Sequence, residues 1–259
     1  MVLYLIVFVF GALIGSFLNV CIYRIPRGQS IIWPSSRCPS CNNPINSYDN
    51  IPIFSYFLLR ARCRSCKEKI PARYPVVEAL NAFFYVFVFW RFGAEWSSLI
   101  YFLLCSALIV ITFIDLDFQI IPDRITLPGI PLGLIAGSFL LPDPFLRAED
   151  LGYVSSLVGA AAGFSFFYLV AFLSIRILKK EGMGGGDIKM MAMLGGFLGW
   201  KAVILTTFLG SLFGSVIGVG LMAFRGREKG SLIPFGPFLA LGAVVSLFFG
   251  QEILIWYLY

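Results

Sequence analysis

Two aspartates interrupt a largely apolar sequence at positions where their carboxylates could act together. Asp115 lies near the end of one apolar run, in IVITFIDLDFQIIPDRIT, and Asp187 lies at the start of another, in GMGGGDIK. A carboxylate pair suits peptide hydrolysis, because the ionised member takes a proton from the attacking water while the protonated member donates to the carbonyl oxygen. Like charges a few ångströms apart do not both ionise readily, so proximity makes the pair share a proton.

Spacing alone leaves other interpretations of these aspartates open. Asp117 could replace Asp115, but the two point about 200° apart around a helix, so only one of them faces Asp187. An Asp at a helix start also serves as a cap, which applies to Asp187 after its glycines and to Asp123 after Pro122. The GMGGGD segment is not a phosphate-binding loop, because no strand precedes it and the Gly-Lys-Ser/Thr ending is missing.

A second group of reactive residues lies in the polar stretch near the N-terminus. Two CxxC motifs, separated by 21 residues, supply four cysteines: Cys38, Cys41, Cys63 and Cys66. This spacing is close to that of zinc ribbons, and a short polar loop with little core gains folding energy from a metal. We predict zinc rather than free or redox-active thiols, and we expect Cys21 and Cys105, in apolar runs, to be small buried residues.

The elements that must position these groups are membrane helices. The chain is 59% hydrophobic and 13% charged, whereas soluble domains carry about 25% charged residues. Apolar runs of about 20 residues, enough to cross a hydrocarbon core, recur along the chain. We predict an all-α polytopic membrane protein with about eight spans, at 2–23, 76–92, 97–116, 125–142, 152–176, 187–201, 202–224 and 234–256.

The distribution of basic residues orients these spans. If segment 24–75 faces the cytosol, 17 of the 20 Lys and Arg residues are cytosolic and only Arg91, Arg147 and Lys201 are not. The positive-inside rule therefore predicts a multi-pass protein of the bacterial inner membrane, with the cysteine loop and both aspartates facing the cytosol. We expect a retained first helix over 1–23, a zinc-binding subdomain over 24–75 and a multi-span catalytic region over 76–259.

Composition also excludes several classes of function. The chain contains no histidine, so neither a Ser/His intramembrane protease nor an HExxH metalloprotease can be built from it. The net charge of +6 comes from Lys and Arg between apolar spans, where these residues set topology. We therefore predict lipid as a partner and no binding of nucleic acid.

Seven segments, in order along nearly the whole chain, resemble one known family, the bacterial type IV prepilin peptidases. This family is also called the prepilin leader peptidase/N-methyltransferases and uses a GxGD aspartyl protease motif. The matching segments are GSFLNVCIYRIPRG (15–28), SRCPSC (36–41), YDNIPIFSYFLLRARCRSC (48–66), RYPVVE (73–78), IDLDFQIIPDRIT (114–126), EGMGGGDIKMMAMLG (181–195) and IPFGPFLA (233–240).

The resemblance implies roles that spacing left open. It implies that Asp115, seven residues before the Pro of Ile-Pro-Asp, and Asp187, in GxGD, are catalytic. It implies substrates with a basic leader ending in Gly and a hydrophobic helix, either type IV prepilins or type II secretion pseudopilins. It also implies N-methylation of the new N-terminal residue with S-adenosylmethionine, for which the sequence indicates no binding residues.

Two other functions are alternatives to prepilin cleavage. Presenilin-like and signal-peptide-peptidase-like GxGD proteases resemble the chain only around the catalytic Asp and lack the four-cysteine loop. A transporter could use membrane aspartates to carry cations or protons, but such proteins often contain internal repeats, and the halves of this chain show none.

Overall fold

The computed structural model describes residues 1–179, 182–225 and 234–258, and these residues form helices and loops without a β-strand. The chain divides into two compact units, residues 1–110 and 111–259, and the boundary falls within one helix. The described ranges contain eight α-helices: α1 (Val2–Arg24), α2 (Phe54–Leu58), α3 (Arg73–Phe92), α4 (Trp96–Phe118), α5 (Asp123–Phe139), α6 (Gly152–Leu173), α7 (Gly185–Arg225) and α8 (Gly236–Leu258). The predicted all-α fold is confirmed.

Six of the described helices are long and apolar enough to cross a membrane: α1, α3, α4, α7, α8, and α6 together with its π-helical extension as far as Ile177. Helix α5, predicted as a span over 125–142, has only 17 residues and contains Pro128 and Pro131. A proline lacks the N–H that donates to the preceding turn, so these two positions weaken the helix ladder of α5.

Helix α7 reverses direction at Gly199, whose backbone angles (φ 80°, ψ 175°) are not helical. The β-carbon positions of Gly186 and Gly236 both approach Ile121, and that of Gly214 approaches Phe235 and Phe238. A straight helix would separate residues 186 and 214 by about 42 Å. Residues 186 and 214 instead both lie near the start of α8. The arms 185–198 and 200–225 therefore run in opposite directions.

The two arms of α7 correspond to the two spans predicted over 187–201 and 202–224. The reversal comes about two residues earlier than predicted, at Gly199. A glycine is suited to this turn because φ values near +80° are costly for residues with a β-carbon. The first arm has 14 residues, about 21 Å of helix, so it is shorter than a typical hydrocarbon core, as the sequence indicated.

Small residues allow close contact between α6 and the first arm of α7. A β-carbon at Gly159 would overlap the backbone at Gly195, and one at Gly163 would overlap the backbone of Met191. Transmembrane helices associate through such close backbone approach, since lipid supplies no hydrophobic driving force between them. This packing fixes the helix that carries Asp187.

In the N-terminal unit, α1 packs on α3 through Gly11 and Gly15, whose β-carbon positions lie 2.8 Å from Ala82 Cα and 2.7 Å from Glu78 Cα. A buried polar network adds specificity to this contact. Asn81 donates to the Gly11 carbonyl at 2.7 Å and accepts from Ser106 at 2.9 Å. All polar atoms of this kind need partners within the bundle because lipid offers none.

The loop between α1 and α3 is fastened to α3 by a buried carboxylate. Glu78, 7% exposed, accepts a hydrogen bond of 2.6 Å from the backbone N–H of Ile53. Within the loop, Arg64 forms a bidentate ion pair with Asp49, with a shortest distance of 2.6 Å. The Glu78 contact connects the polar segment to the helix that follows it, and the ion pair joins two parts of that segment.

Candidate active site and metal centre

Asp115 lies in the last turn of α4, in the C-terminal unit, and is 5% exposed. The backbone N–H of Gly236, the first residue of α8, donates to Asp115 Oδ2 at 2.9 Å. The next residue, Pro237, has no N–H to offer. The start of α8 therefore supplies a single directed donor to this carboxylate.

Asp187 is the third residue of α7 and is 8% exposed. Its backbone N–H donates to the Gly184 carbonyl at 3.2 Å, and its carboxylate interacts with the Gly184 N–H. This geometry resembles the reciprocal bonds of a capping box, in which an acidic residue at the third helical position binds the residue before the helix. The capping interpretation of Asp187 is therefore compatible with a second role.

One oxygen of Asp187 has no partner in the described part of the chain. Asp187 Oδ1 is buried and makes no hydrogen bond to the described residues. A buried carboxylate oxygen without a donor is costly, so such groups are rare in folded proteins.

The structure brings Asp115 and Asp187 together across the start of α8. Gly186, next to Asp187, and Gly236, which binds Asp115, both pack against Ile121, although the two aspartates are 72 positions apart in the sequence. Asp117, two residues further along α4, is exposed. Its side chain is thus on the other side of the helix from Asp115, as the 200° rotation predicts.

Asp123 does not cap α5, and that interpretation is wrong. The residue before the helix is Pro122, and no side chain caps this end. The Asp123 carboxylate instead forms an ion pair with Lys189 of α7, at 2.7 Å. Because Asp123 follows Pro122 inside the first turn, its side chain projects from the helix and reaches α7 two residues beyond Asp187.

Glycines make the close approach of these elements possible. A β-carbon at Gly236 would lie 2.7 Å from Asp115 Oδ2, and one at Gly186 would lie 2.7 Å from Ile121 Cβ. Gly236 was not assigned a role from the sequence, although it stands in IPFGPFLA. The sequence feature that could have pointed to Gly236 is its Gly-Pro pair at a helix start, but such a pair by itself indicates only a helix boundary.

The four cysteines of the polar loop converge in the N-terminal unit. Their sulfur atoms all lie within 4.8 Å of one another, and Cys38 Sγ is 3.8 Å from Cys66 Sγ. Tetrahedral zinc with Zn–S bonds of about 2.3 Å requires sulfur atoms about 3.8 Å apart. The cluster therefore fits zinc in ligand type, number and spacing.

Two matching turns build this cluster. Cys38 exchanges backbone hydrogen bonds with Asn43 and Asn42, and Cys63 does the same with Glu68 and Lys67. Asn42 and Lys67, each one residue beyond its CxxC motif, have left-handed backbones with φ of 58° and 60°. Each motif thus folds locally into the same tight turn and presents two sulfur atoms on one side.

The thiols of the cluster differ in how readily they ionise. A hydrogen bond from the Cys66 backbone lowers the pKa of the Cys63 thiol to about 7. The Glu68 backbone acts in the same direction on Cys66, but burial and the neighbouring thiols outweigh it and raise the pKa of Cys66. A bound cation favours four thiolates at once, because metal ligands must be deprotonated.

The remaining cysteines, Cys21 and Cys105, are buried and free, 7% and 0% exposed. They are small core residues, as predicted.

No residues could be assigned to a methyl-donor site from the sequence.

Two family models match successive parts of the chain. Residues 9–92 match the bacterial peptidase A24 N-terminal domain, and residues 102–219 match the type IV leader peptidase family. No solved structure matches the chain.

Relatives in several bacteria are similar over nearly the full length. A prepilin leader peptidase/N-methyltransferase of Aeromonas hydrophila is 38% identical, with 98% of this chain and 93% of the relative covered. Proteins of the same name in Pseudomonas aeruginosa and Neisseria gonorrhoeae are also 38% identical, covering 94% and 89% of this chain and 89% and 85% of the relatives. With this identity over almost all of both sequences, the chain belongs to the type IV leader peptidase family.

Proposed function

We propose that this protein is an intramembrane aspartyl endopeptidase that removes the basic leader from type IV prepilins or type II secretion pseudopilins. The observation that carries the proposal is the pair of buried carboxylates, Asp115 and Asp187, on two helices that meet at the start of α8. The relatives named above carry the same activity in their names, which supports the substrate class.

Hydrolysis by this pair needs one proton shared between the two carboxylates. The ionised carboxylate takes a proton from water as the water oxygen attacks the carbonyl carbon of the scissile bond, and the protonated carboxyl donates to the carbonyl oxygen. The intermediate then collapses: the carbon–nitrogen bond breaks, the leaving nitrogen takes a proton from the protonated carboxyl, and a hydroxyl of the intermediate returns a proton to the other carboxylate as its C=O bond reforms, so the pair again holds one proton. The unpartnered Asp187 Oδ1 supports this scheme, because it can accept a hydrogen bond from the attacking water.

The four-cysteine cluster is proposed as a zinc site with a structural role. Four sulfur ligands leave no open position for water, which is the arrangement of structural rather than catalytic zinc. Held by Cys38, Cys41, Cys63 and Cys66, a zinc ion would cross-link two turns of a loop that has little apolar core.

A second activity, N-methylation of the new N-terminal residue, is proposed from the names of the relatives. S-adenosylmethionine would supply the methyl group to the neutral amine, which then loses a proton, and S-adenosylhomocysteine would be the leaving group. Methyl transfer to an amine does not require a carboxylate pair to activate water. Labelled methyl transfer to a pre-cleaved pilin should therefore persist in an Asp187→Asn variant that has lost cleavage.

The proposed location is the bacterial inner membrane, with the aspartates and the cysteine loop on the cytosolic side. The supports are the apolar helices, six of which are long enough to span by themselves, and the asymmetry of 17 basic residues against 3 that follows when α5 and each arm of α7 also cross, as in the predicted topology of eight spans. A substrate whose basic leader remains in the cytosol and whose hydrophobic segment lies in the membrane would present its cleavage site on that side.

Cleavage by the purified protein in proteoliposomes is the direct test. A prepilin with a basic leader ending in Gly should be cut after that Gly by the wild-type protein, and Asp187→Asn should abolish the cut while insertion is retained. A wild-type protein that inserts but leaves prepilins and pseudopilins intact would contradict the proposed function.

A further inference from the structure

Helix α2, in the loop that carries the four cysteines, has the reverse of the polarity expected for a water-facing helix. Phe54, Phe57 and Leu58 are 64%, 68% and 64% exposed. Ser55, in the same helix, is only 5% exposed. Residues three and four positions apart lie on one face of a helix, so the three large apolar side chains form one outward face, which we call the α2 face. A helix surrounded by water turns its apolar face to the protein instead.

The polar side of α2 is turned toward the rest of the loop. Ser55 Oγ donates to the Tyr48 carbonyl at 3.1 Å and accepts from the backbone N–H of Ile51 at 3.0 Å. Ser55 points about 100° away from the α2 face, so Tyr48 lies on a different side of the helix. The surroundings of the Tyr48 side chain are polar: its hydroxyl accepts from the Asn46 amide at 2.7 Å, and the Arg64 guanidinium lies 5.4 Å from its ring centroid.

The start of α2 is held at the level of the membrane-spanning helices. The backbone N–H of Ile53 donates to Glu78 Oε2 at 2.6 Å, and Glu78 lies against Gly15 of α1. Glu78 is five residues, or about 7.5 Å, inside the start of α3 at Arg73. Gly15 is nine residues, or about 13.5 Å, before the end of α1. The loop therefore folds back, and α2 begins below the ends of both helices.

At this level α1 and α3 already present apolar side chains outward. Val76 and Phe17, each two residues from the contact between Glu78 and Gly15, are 51% and 45% exposed. Both helices are long and apolar enough to cross a membrane, so outward side chains at this level contact lipid. The α2 face thus begins at the same depth as this lipid-facing surface.

The loop around α2 carries the charge that an anionic membrane surface attracts. Segment 24–75 contains nine Lys and Arg residues and only two acidic residues, Asp49 and Glu68. Arg60 and Arg62, directly after α2, are exposed. Basic residues next to a membrane are attracted to anionic headgroups. Their long side chains can reach the phosphates while apolar neighbours contact the acyl chains.

We propose that α2 is a lipid-binding element that lies in the membrane interface. Phe54, Phe57 and Leu58 insert among the acyl chains of the leaflet on the side of the four-cysteine loop, and Arg60 and Arg62 bind the phosphates of anionic lipids. The same arginines would repel a basic leader peptide, so charge favours lipid over a prepilin as the occupant. This role is separate from the chemistry of the aspartates and does not depend on the proposed function.

Photocross-linking from the α2 face identifies the molecule that covers it. The photoreactive residue p-benzoylphenylalanine replaces Phe57 in one variant and Tyr48 in the control, because both are exposed aromatic residues of the same loop, 68% and 58% exposed. The full chain is reconstituted in vesicles of radiolabelled phosphatidylglycerol and phosphatidylethanolamine, with prepilin added, and irradiated. The variant at Phe57 should capture at least about fivefold more labelled lipid than the variant at Tyr48.

Substitution of the two arginines tests the proposed contact with phosphates. In the variant that carries the photoreactive group at Phe57, Arg60→Gln together with Arg62→Gln should lower the capture of phosphatidylglycerol by about threefold or more. Capture of phosphatidylethanolamine should change by less than about twofold, because its headgroup has no net charge. An unchanged capture of phosphatidylglycerol would overturn the role of Arg60 and Arg62.

Equal capture of lipid from Phe57 and Tyr48 would overturn the proposal, and so would capture of the prepilin or of a second copy of this chain in place of lipid. If the variants do not insert, hydroxyl-radical footprinting of the wild-type protein in the same vesicles gives a second measurement. Phe57 should then be modified at least about fivefold more slowly than Tyr48, since lipid shields it from water. Modification of the two residues at rates within about twofold would overturn the insertion of α2.

Discussion

The four-cysteine cluster and the aspartate pair are assembled in opposite ways. Each half of the cysteine cluster is a local turn, in which Cys38 and Cys63 bond to residues four or five positions ahead. The aspartate site instead joins the end of α4, the start of α7 and the start of α8, over 121 positions from Asp115 to Gly236. The turns of the cysteine cluster can be recognised from short sequence motifs, whereas the aspartate site forms only when helices from distant parts of the chain pack together.

The largest expected effect concerns the site that depends on packing. Asp115→Ala and Asp187→Ala should each lower prepilin cleavage by at least about 10³-fold, because each carboxylate has a separate role in one step. Asp117→Ala, which changes an exposed residue of the same helix, should retain substantial activity. The assay is an anti-pilin blot with a parallel measurement of membrane insertion. Processing that survives in the Asp187 variant would contradict the catalytic assignment.

The next effect concerns the locally built cluster. Protein purified under reducing conditions without chelator should contain one zinc per chain, and Cys38→Ser or Cys63→Ser should remove it, since loss of one ligand opens the tetrahedron. Cys21→Ser and Cys105→Ser, at buried positions outside the cluster, should keep the metal. Elemental analysis measures the number of zinc ions per chain. A full zinc content in Cys63→Ser would show that the cluster does not hold the ion.

An intermediate effect is expected at Gly236. In Gly236→Ala the new methyl group would meet Asp115 Oδ2 and displace the carboxylate from its hydrogen bond. A displacement of about 1 Å at a catalytic group lowers the rate by about 10²-fold, so kcat should fall by about 10- to 100-fold. Gly220→Ala, at a position where no described residue lies within 4 Å of the new methyl group, is the control and should cleave at the wild-type rate. A wild-type kcat in Gly236→Ala would show that the start of α8 does not position Asp115.

The smallest effect is expected at the ion pair between Asp123 and Lys189. Both side chains are substantially exposed, 52% and 34%, so the pair contributes about 0 to 1 kcal/mol to stability. Asp123→Asn should shift the thermal unfolding midpoint little and leave cleavage within about twofold of wild type. A loss of activity comparable to that of Asp187→Ala would give Asp123 a part in the active site that its exposure does not indicate.

Much of the fold could be predicted from the sequence because each span is a local property of its residues. Apolar length alone indicates helices such as α1 and α4. The predicted boundary between a short span over 187–201 and a full-length span over 202–224 lies within about two residues of the break in α7 at Gly199. The predicted end of α5 was wrong by three residues: the helix ends at Phe139 rather than at 142, because the conformation of its last turn depends on packing against other helices.

The sequence by itself determined the residue types that could do chemistry: two CxxC motifs, and aspartates next to apolar runs. The cysteine cluster could be predicted almost completely, since turns of a few residues need no other element to form. Only the tertiary structure decided that Asp115 is buried and Asp117 exposed, that Asp123 binds Lys189, and that the Gly236 N–H points at Asp115. The physical reason is distance along the chain: contacts between separate helices depend on the packing of all the helices together, which no single segment encodes.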